Sequence, residues 1–245
     1  MNVPLMDLTA QYAALKSEID EAILSAVAGQ RFILGPEVET FEREISEYLG
    51  VKHAVGCASG TDALLLPLKA LKATQGHDVI VPSFTFFATA GAVWNAGFRP
   101  VFCDVDPETF NVTAESLEKV WTERTVAVVA VHLFGQMAPM REVRALARSR
   151  GAFVIEDTAQ AIGAKSIEGM AGTVGDAGSF SFFPTKNLGG YGDGGLVTTD
   201  DDDLADAIRK LRVHGGKRMY HHESVGFNSR LDAIQASILR VKLPY

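Results

Sequence analysis

The chain has 245 residues, 47% of them hydrophobic, which is enough to bury a substantial core. A formal charge of −7, from 23 basic and 30 acidic side chains, argues against a nucleic-acid or anionic-membrane partner, although a local basic pocket for a phosphorylated ligand is still allowed. Two cysteines, Cys57 and Cys103, are too few for a disulfide scaffold; no signal peptide or membrane-length apolar run is present, so a soluble cytoplasmic protein is expected.

The segment from Leu8 to Val27 has helical periodicity. "PEVETFEREISEYLG" predicts a second helix, started by Pro36 and stopped by Gly50. Beyond it, short β-rich runs ("DVIVP", "RPVFCDV", "TVAVVAVH", "AFVIED") alternate with helix-length segments such as "TDALLLPLKALKA" and "PMREVRALARSRG". That alternation predicts βαβ units and an α/β fold with a mostly parallel sheet covered on both faces. Pro67 is expected to kink its helix by removing one backbone hydrogen bond. Two more strands are expected at "AGSFSFF" and "GGLVTT", and the acidic run Asp200 to Asp203 reads as a helix start, not a metal site. No repeat or linker divides the chain, so residues 1–245 are expected to form one domain. The last segment, "ASILRVKLPY", reads as the middle of a helix with apolar faces still to bury, suggesting a truncated chain.

Three motifs carry candidate chemistry. Asp157 falls at the carboxyl end of the strand "AFVIED", the edge where open α/β sheets bind ligands. It reads either as a turn carboxylate or as the acidic partner of a cationic ring nitrogen, with Gln160 nearby as an amide donor. Ser59, Gly60 and Thr61 precede a predicted helix, where small residues let N–H groups and hydroxyls converge on a phosphate; such strings are also ordinary caps. Phe86 is core packing by default, or a cover for one face of a flat ring. The segment "SFFPTKNLGGYGDGG" then sets Lys186 among aromatics and glycines. A lysine amine becomes a good nucleophile when neutral and forms Schiff bases with carbonyls. The glycines around it are expected to let the backbone turn tightly.

Taken in order, "MDLTAQY", "ILGPEVETFE", "ASGTDAL", "VPSFTFFATA", "DVDPETFNV", "HLFGQ", "IEDTAQAIGA", "SFFPTKNLGGYGDGG" and "NSRLDAIQASIL" resemble the DegT/DnrJ-type nucleotide-sugar aminotransferases, pyridoxal-phosphate (PLP) enzymes of fold type I. The resemblance covers nearly the whole chain and lacks the family's smaller C-terminal domain. It implies a fold type I large domain, with Lys186 forming the internal aldimine and shuttling a proton. It also implies that Asp157 pairs with the pyridine nitrogen, Gln160 contacts the phenolic oxygen, and Phe86 stacks on the ring. Ser59, Gly60, Thr61 and Ser181 would hold the phosphate. Asn228 would reach the cofactor phosphate of a neighbouring subunit, implying a homodimer with shared sites.

The implied reaction is ping-pong transamination from L-glutamate to a keto-sugar on a nucleotide diphosphate. "RVHGGKRMYHHESVGFNSRLD" looks most like members acting on a UDP-linked 3-keto N-acetylhexosaminuronic acid, for bacterial surface polysaccharide. His214 and Arg230 are candidate substrate contacts, with structural hydrogen bonding the plain alternative for both. His221 and His222 read as loop residues. A few family members carry histidine in place of the lysine and act as dehydratases; this chain keeps Lys186. Alternatives are a dTDP-linked 3- or 4-keto-6-deoxyhexose as substrate, or a PLP-fold protein that binds or regulates without turnover. A dinucleotide-dependent α/β enzyme is disfavoured because no glycine fingerprint follows the first strand.

Overall fold

The apolar runs pair into one seven-stranded sheet in the computed structural model, which describes residues 6–71, 73, 75–218 and 220–245. The first five residues of the N-terminal segment, Lys72 of the third predicted helix and Met219 of the histidine-rich segment lie outside the described residues. The strands are β1 (His53–Cys57), β2 (Asp78–Pro82), β3 (Arg99–Cys103), β4 (Thr125–Val131), β5 (Phe153–Asp157), β6 (Ala177–Ser181) and β7 (Gly195–Thr199). Their spatial order is β1-β7-β6-β5-β4-β2-β3. Strands β3, β2, β4, β5 and β6 pair in parallel, while β7 runs antiparallel to both β6 and β1.

The helices are α1 (Thr9–Gly29), α2 (Pro36–Leu49), α3 (Gly60–Ala70), α4 (Phe87–Ala96), α5 (Ala114–Val120), α6 (Met140–Ser149), α7 (Asp202–Leu211) and α8 (Ala233–Lys242). Helix α2 starts at Pro36 and ends at Gly50, whose φ of 74° is a left-handed cap that other residues adopt at a cost. Helix α3 carries on through buried Pro67 to Ala70, where the Leu71 N–H bonds back to the Pro67 and Leu68 carbonyls. Asp201 caps α7, its Oδ1 accepting from the N–H groups of Asp203 at 2.8 Å and Leu204 at 3.0 Å. The acidic run is therefore a helix start.

Strand side chains alternate between two buried layers. Val79, Val81, Ala127 and Val129 pack on one face against Leu64, Leu68 and Val93 of α3 and α4. Ile80, Val128, Ala130 and Val154 pack on the other against Leu117, Met140 and Val143 of α5 and α6. A third cluster joins Phe41 of α2, Phe180, Phe182 and Leu239 of α8 beside β6 and β7. Parallel strands buried on both faces give continuous apolar runs, which is why these strands were visible in sequence.

This topology gathers the motifs. Strands β1, β2, β4, β5 and β6 all run towards one edge, so the segments that follow them emerge together. Strand β7 is antiparallel, so the segment preceding it returns to that same edge. Ligands of open α/β sheets bind there.

Candidate active site

A cavity of about 610 Å³ opens at that edge. Ser59, Gly60 and Thr61 reach it from β1, Phe86 from β2, Asp157 and Gln160 from β5, and Ser181 and Lys186 from β6. Eight of the sequence candidates thus share one cavity.

Asp157 forms the floor. Its side chain is buried, and its Oδ2 accepts from the Thr89 hydroxyl at 3.0 Å while its Oδ1 accepts from the Ala159 N–H at 3.2 Å. No cation pairs with it among the described residues. Burial disfavours the charged form and pushes the acid above its ordinary value, against the opposing pull of the two hydrogen bonds and of Lys186. The site holds a carboxyl that lacks a positive partner.

The N-terminus of α3 forms one wall. Ser59 caps the helix, its Oγ accepting from the Asp62 N–H at 3.1 Å. The N–H groups of Gly60 and Thr61 belong to the first turn and have no carbonyl partner within the helix, so they and the helix dipole favour an anion. A Cβ at Gly60 would lie 2.6 Å from Cβ of Ser181. Only glycine lets the two motifs meet closely enough to form one cradle. Ser229 braces the wall from behind, donating to Asp62 Oδ2 at 2.7 Å and accepting from the Ala58 N–H at 3.3 Å.

Lys186 lines the cavity, and its Nζ makes no hydrogen bond or ion pair with the described residues. Its backbone N–H bonds to the Phe183 carbonyl at 2.8 Å, and the Gly190 N–H bonds back to the Phe182 carbonyl at 2.8 Å. The glycines that follow do not serve a left-handed backbone: none of Gly189, Gly190, Gly192, Gly194 or Gly195 has positive φ. They are needed for space. A Cβ at Gly190 would meet Gln235 Oε1 at 2.7 Å, and one at Gly195 would run into the Ser59 carbonyl.

Phe86 sits at the N-cap of α4 and is 77% exposed, so it is not core packing. Gln160 Oε1 accepts from the Phe134 N–H at 3.0 Å. That bond fixes the amide with its NH2 group free to donate. Phe134 itself sits at φ 56° and is exposed beside the cavity.

Three candidates do not reach this cavity within one chain. His214 is exposed at φ 64°, Asn228 is exposed and bridges to Val213, and Arg230 is half-buried; none lines it. The His222 ring packs edge-on against His214 and its Nδ1 lies 3.0 Å from the His214 carbonyl, while His221 belongs to the same exposed loop. No group of three or more metal-ligating side chains occurs among the described residues.

Sequence reasoning missed the support beneath Asp157. His132 and Glu156 are fully buried, with His132 Nε2 2.7 Å from Glu156 Oε2. The His132 Nδ1 accepts from the Ala138 N–H at 3.1 Å, so Nε2 carries the proton and donates to the carboxylate. Glu156 also accepts from the N–H groups of Gly172, Val174 and Gly175 at 3.0, 2.7 and 2.6 Å. Both nitrogens of the ring are occupied, so His132 holds the end of β4 in place. Its signal in sequence was its place right after a buried strand, in "HLFGQ".

A sequence model of the DegT/DnrJ/EryC1/StrS aminotransferase family matches residues 13–245. The chain belongs to that family. A family member from Geobacillus stearothermophilus named "Pleiotropic regulatory protein" is 50% identical over 100% of this chain and 66% of its own length. Another, "UDP-N-acetyl-3-dehydro-alpha-D-glucosamine 3-aminotranferase" from Acidithiobacillus ferrooxidans, is 49% identical over 99% of this chain and 66% of its own. The crystal structure of DesV from S. venezuelae in complex with a ketimine intermediate matches with a TM-score of 0.96 and 44% identity, covering 99% of this chain and 65% of that one. The chain thus spans just under two thirds of the length of these relatives. Fold type I aminotransferases are its structural neighbours, and pyridoxal phosphate is the family's cofactor.

The residues present fit that group. A buried carboxyl without a cation suits a protonated ring nitrogen, the Gly60–Ser181 cradle suits a phosphate, and an unpartnered lysine amine suits an aldehyde.

Proposed function

We propose that this chain is the cofactor-binding part of a PLP-dependent aminotransferase that moves an amino group from L-glutamate to a keto-sugar on a nucleotide diphosphate. The observation that carries this reading is a single cavity lined by both the partner-free Lys186 and the buried Asp157. Pyridoxal phosphate supplies a carbonyl that exchanges amines and a ring that takes up electrons when a C–H bond breaks.

The positions of the chain's own residues support the following roles. Lys186 presents its amine to the aldehyde and then carries the proton at Nζ. Asp157 pairs with the ring N–H, which offsets the cost of its own burial. Gly60, Thr61, Ser59 and Ser181 bind the phosphate. Gln160 donates to the phenolic oxygen, and Phe86 covers one face of the ring and excludes water.

A UDP-linked 3-keto N-acetylhexosaminuronic acid is the preferred substrate, supported by the segment from Arg212 to Asp232 and, for a UDP-linked 3-keto N-acetyl sugar, by the name of the Acidithiobacillus relative. A homodimer is supported by Asn228 lying on an exposed segment outside its own chain's cavity. The exposed row of Phe84, Phe110 and Phe134 beside the site supports it too, with ring centroids 5.6 and 6.4 Å apart. Both cysteines are free and buried, which suits the reducing cytosol. No helix among the described residues is long and apolar enough to cross a membrane.

Borohydride reduction in the presence of PLP, followed by peptide mapping, tests the site: a pyridoxyl adduct is expected on Lys186. Production of 2-oxoglutarate from glutamate across a panel of UDP- and dTDP-linked keto-sugars tests the reaction. An adduct on another residue would sink the assignment, and bound PLP without turnover on any keto-sugar would favour a binding or regulatory role.

A further inference from the structure

Helix α8 lies outside the cavity, yet two of its side chains grip the segment that carries Lys186. Gln235 Oε1 accepts from the Tyr191 N–H at 2.6 Å. Its amide also fills the space beside Gly190 and Gly192, where a Cβ would lie 2.7 and 3.2 Å from Gln235 Oε1 and Nε2. Asp232 caps α8 and accepts from the Gln235 N–H at 2.9 Å, which fixes where that side chain leaves the helix.

Lys242, at the last turn of α8, is only 5% exposed. No carboxylate pairs with it among the described residues. Its Nζ donates to the Gly189 carbonyl and lies 5.6 Å from the centroid of the Tyr191 ring. Burying an ammonium without a counter-ion is costly, and burial lowers its pKa. A methionine would fill the same space without that cost. The cation therefore costs the fold stability at the place where it holds one loop carbonyl.

We propose that Gln235 and Lys242 are positioning residues for Lys186: from α8 they fix the 189–192 backbone so that the amine stays directed into the cavity. The inference rests on the reading of Lys186 as the amine that takes the cofactor aldehyde. It also accounts for the glycines, which make room for the Gln235 amide.

The test uses the full chain with Gln235→Leu, Gln235→Glu, Lys242→Met and Lys242→Arg. Three readouts are taken: hydrogen–deuterium exchange of peptides spanning 183–194, the yield of borohydride-trapped pyridoxyl-Lys186 against PLP concentration, and the thermal midpoint. Gln235→Leu and Lys242→Met each raise exchange in that loop. They also raise the PLP concentration for half-maximal trapping by about three- to tenfold, the range for one lost hydrogen bond. Gln235→Glu keeps the acceptor for Tyr191 and Lys242→Arg keeps the donor for Gly189, so both restore most of the trapping. Trapping and loop exchange like those of the unaltered chain would overturn the proposal. So would an even rise in exchange across all peptides with a matching fall in midpoint, which marks general destabilisation. If the unaltered chain gives no adduct on Lys186, the functional reading fails, while the exchange readout still reports on the grip of α8.

Discussion

Replacing Asp157 by Asn should stabilise the cofactor-free chain and destabilise its hold on PLP. The carboxyl is 6% exposed, has two hydrogen bonds and has no cation in contact, so its acid lies above the ordinary value of 3.8. The folded chain then keeps this proton to higher pH than the unfolded chain does, and the contribution to stability falls as pH rises between the two values. Each unit of upward shift withholds about 1.4 kcal/mol at neutral pH. An amide of similar shape carries no charge to desolvate, so the variant escapes that cost. For a domain of this size each kcal/mol corresponds to about 2–4 °C in midpoint. Asp157→Asn is therefore expected to raise the midpoint of the cofactor-free chain by several degrees at neutral pH. The difference should vanish below the ordinary value of 3.8, where both side chains are neutral. Saturating PLP should reverse the order, because only the carboxylate can pair with the ring N–H; ligand at 100 times its Kd adds about 2.7 kcal/mol. Thermal unfolding followed by circular dichroism with and without PLP reads all three. A difference that is independent of pH, or a less stable variant at neutral pH without cofactor, would refute the reasoning.

Lys186→Ala should fold with a midpoint close to that of the unaltered chain, give no pyridoxyl adduct after borohydride, and leave amino transfer at background. Gly60→Ala places a methyl group 2.6 Å from Ser181 Cβ, so PLP affinity measured by fluorescence quenching should drop at least about tenfold, as a cradle closed to the phosphate requires. Glu156→Gln replaces one of the two oxygens that accept from His132 and three backbone N–H groups by an NH2 that cannot accept, and urea titration should register a loss of about 2–3 kcal/mol. Should Glu156→Gln cost less than about 1 kcal/mol, the network would be a passenger and not the support of the Asp157 strand.

The buried strands were legible because a strand covered on both faces must be apolar along its length, as in "TVAVVAV". The first strand, "HAVGC", escaped notice: it is short, opens with a half-buried histidine, and keeps Gly56 because a Cβ there would crowd Leu231. The residues now lining the cavity were findable because each follows a strand or its antiparallel return, and the sheet's topology does the gathering. His132, Glu156, Gln235 and Lys242 were not findable that way. Apart from Ala138 beside His132, their side-chain partners sit 16 to 53 residues distant in sequence, and no local pattern encodes such pairings. His214, Asn228 and Arg230 were singled out by resemblance alone, and their places on or beside an exposed loop explain why one chain's cavity does not contain them.

The antiparallel insertion of β7 between β1 and β6 separates robustness from accuracy. The segment from Phe182 to Gly194 is a closed excursion whose two ends are sewn into neighbouring ladders, with the Phe182 N–H bonded to the Gly194 carbonyl at 2.8 Å. A single proteolytic cut between Asn187 and Gly192 would leave β6 paired with β5 and β7, and β7 paired with β1. The sheet would stay whole while the amine lost one of its two tethers. Nicked protein of normal stability and lost chemistry would be the mark of a fold that can spare this segment's continuity and a site that cannot.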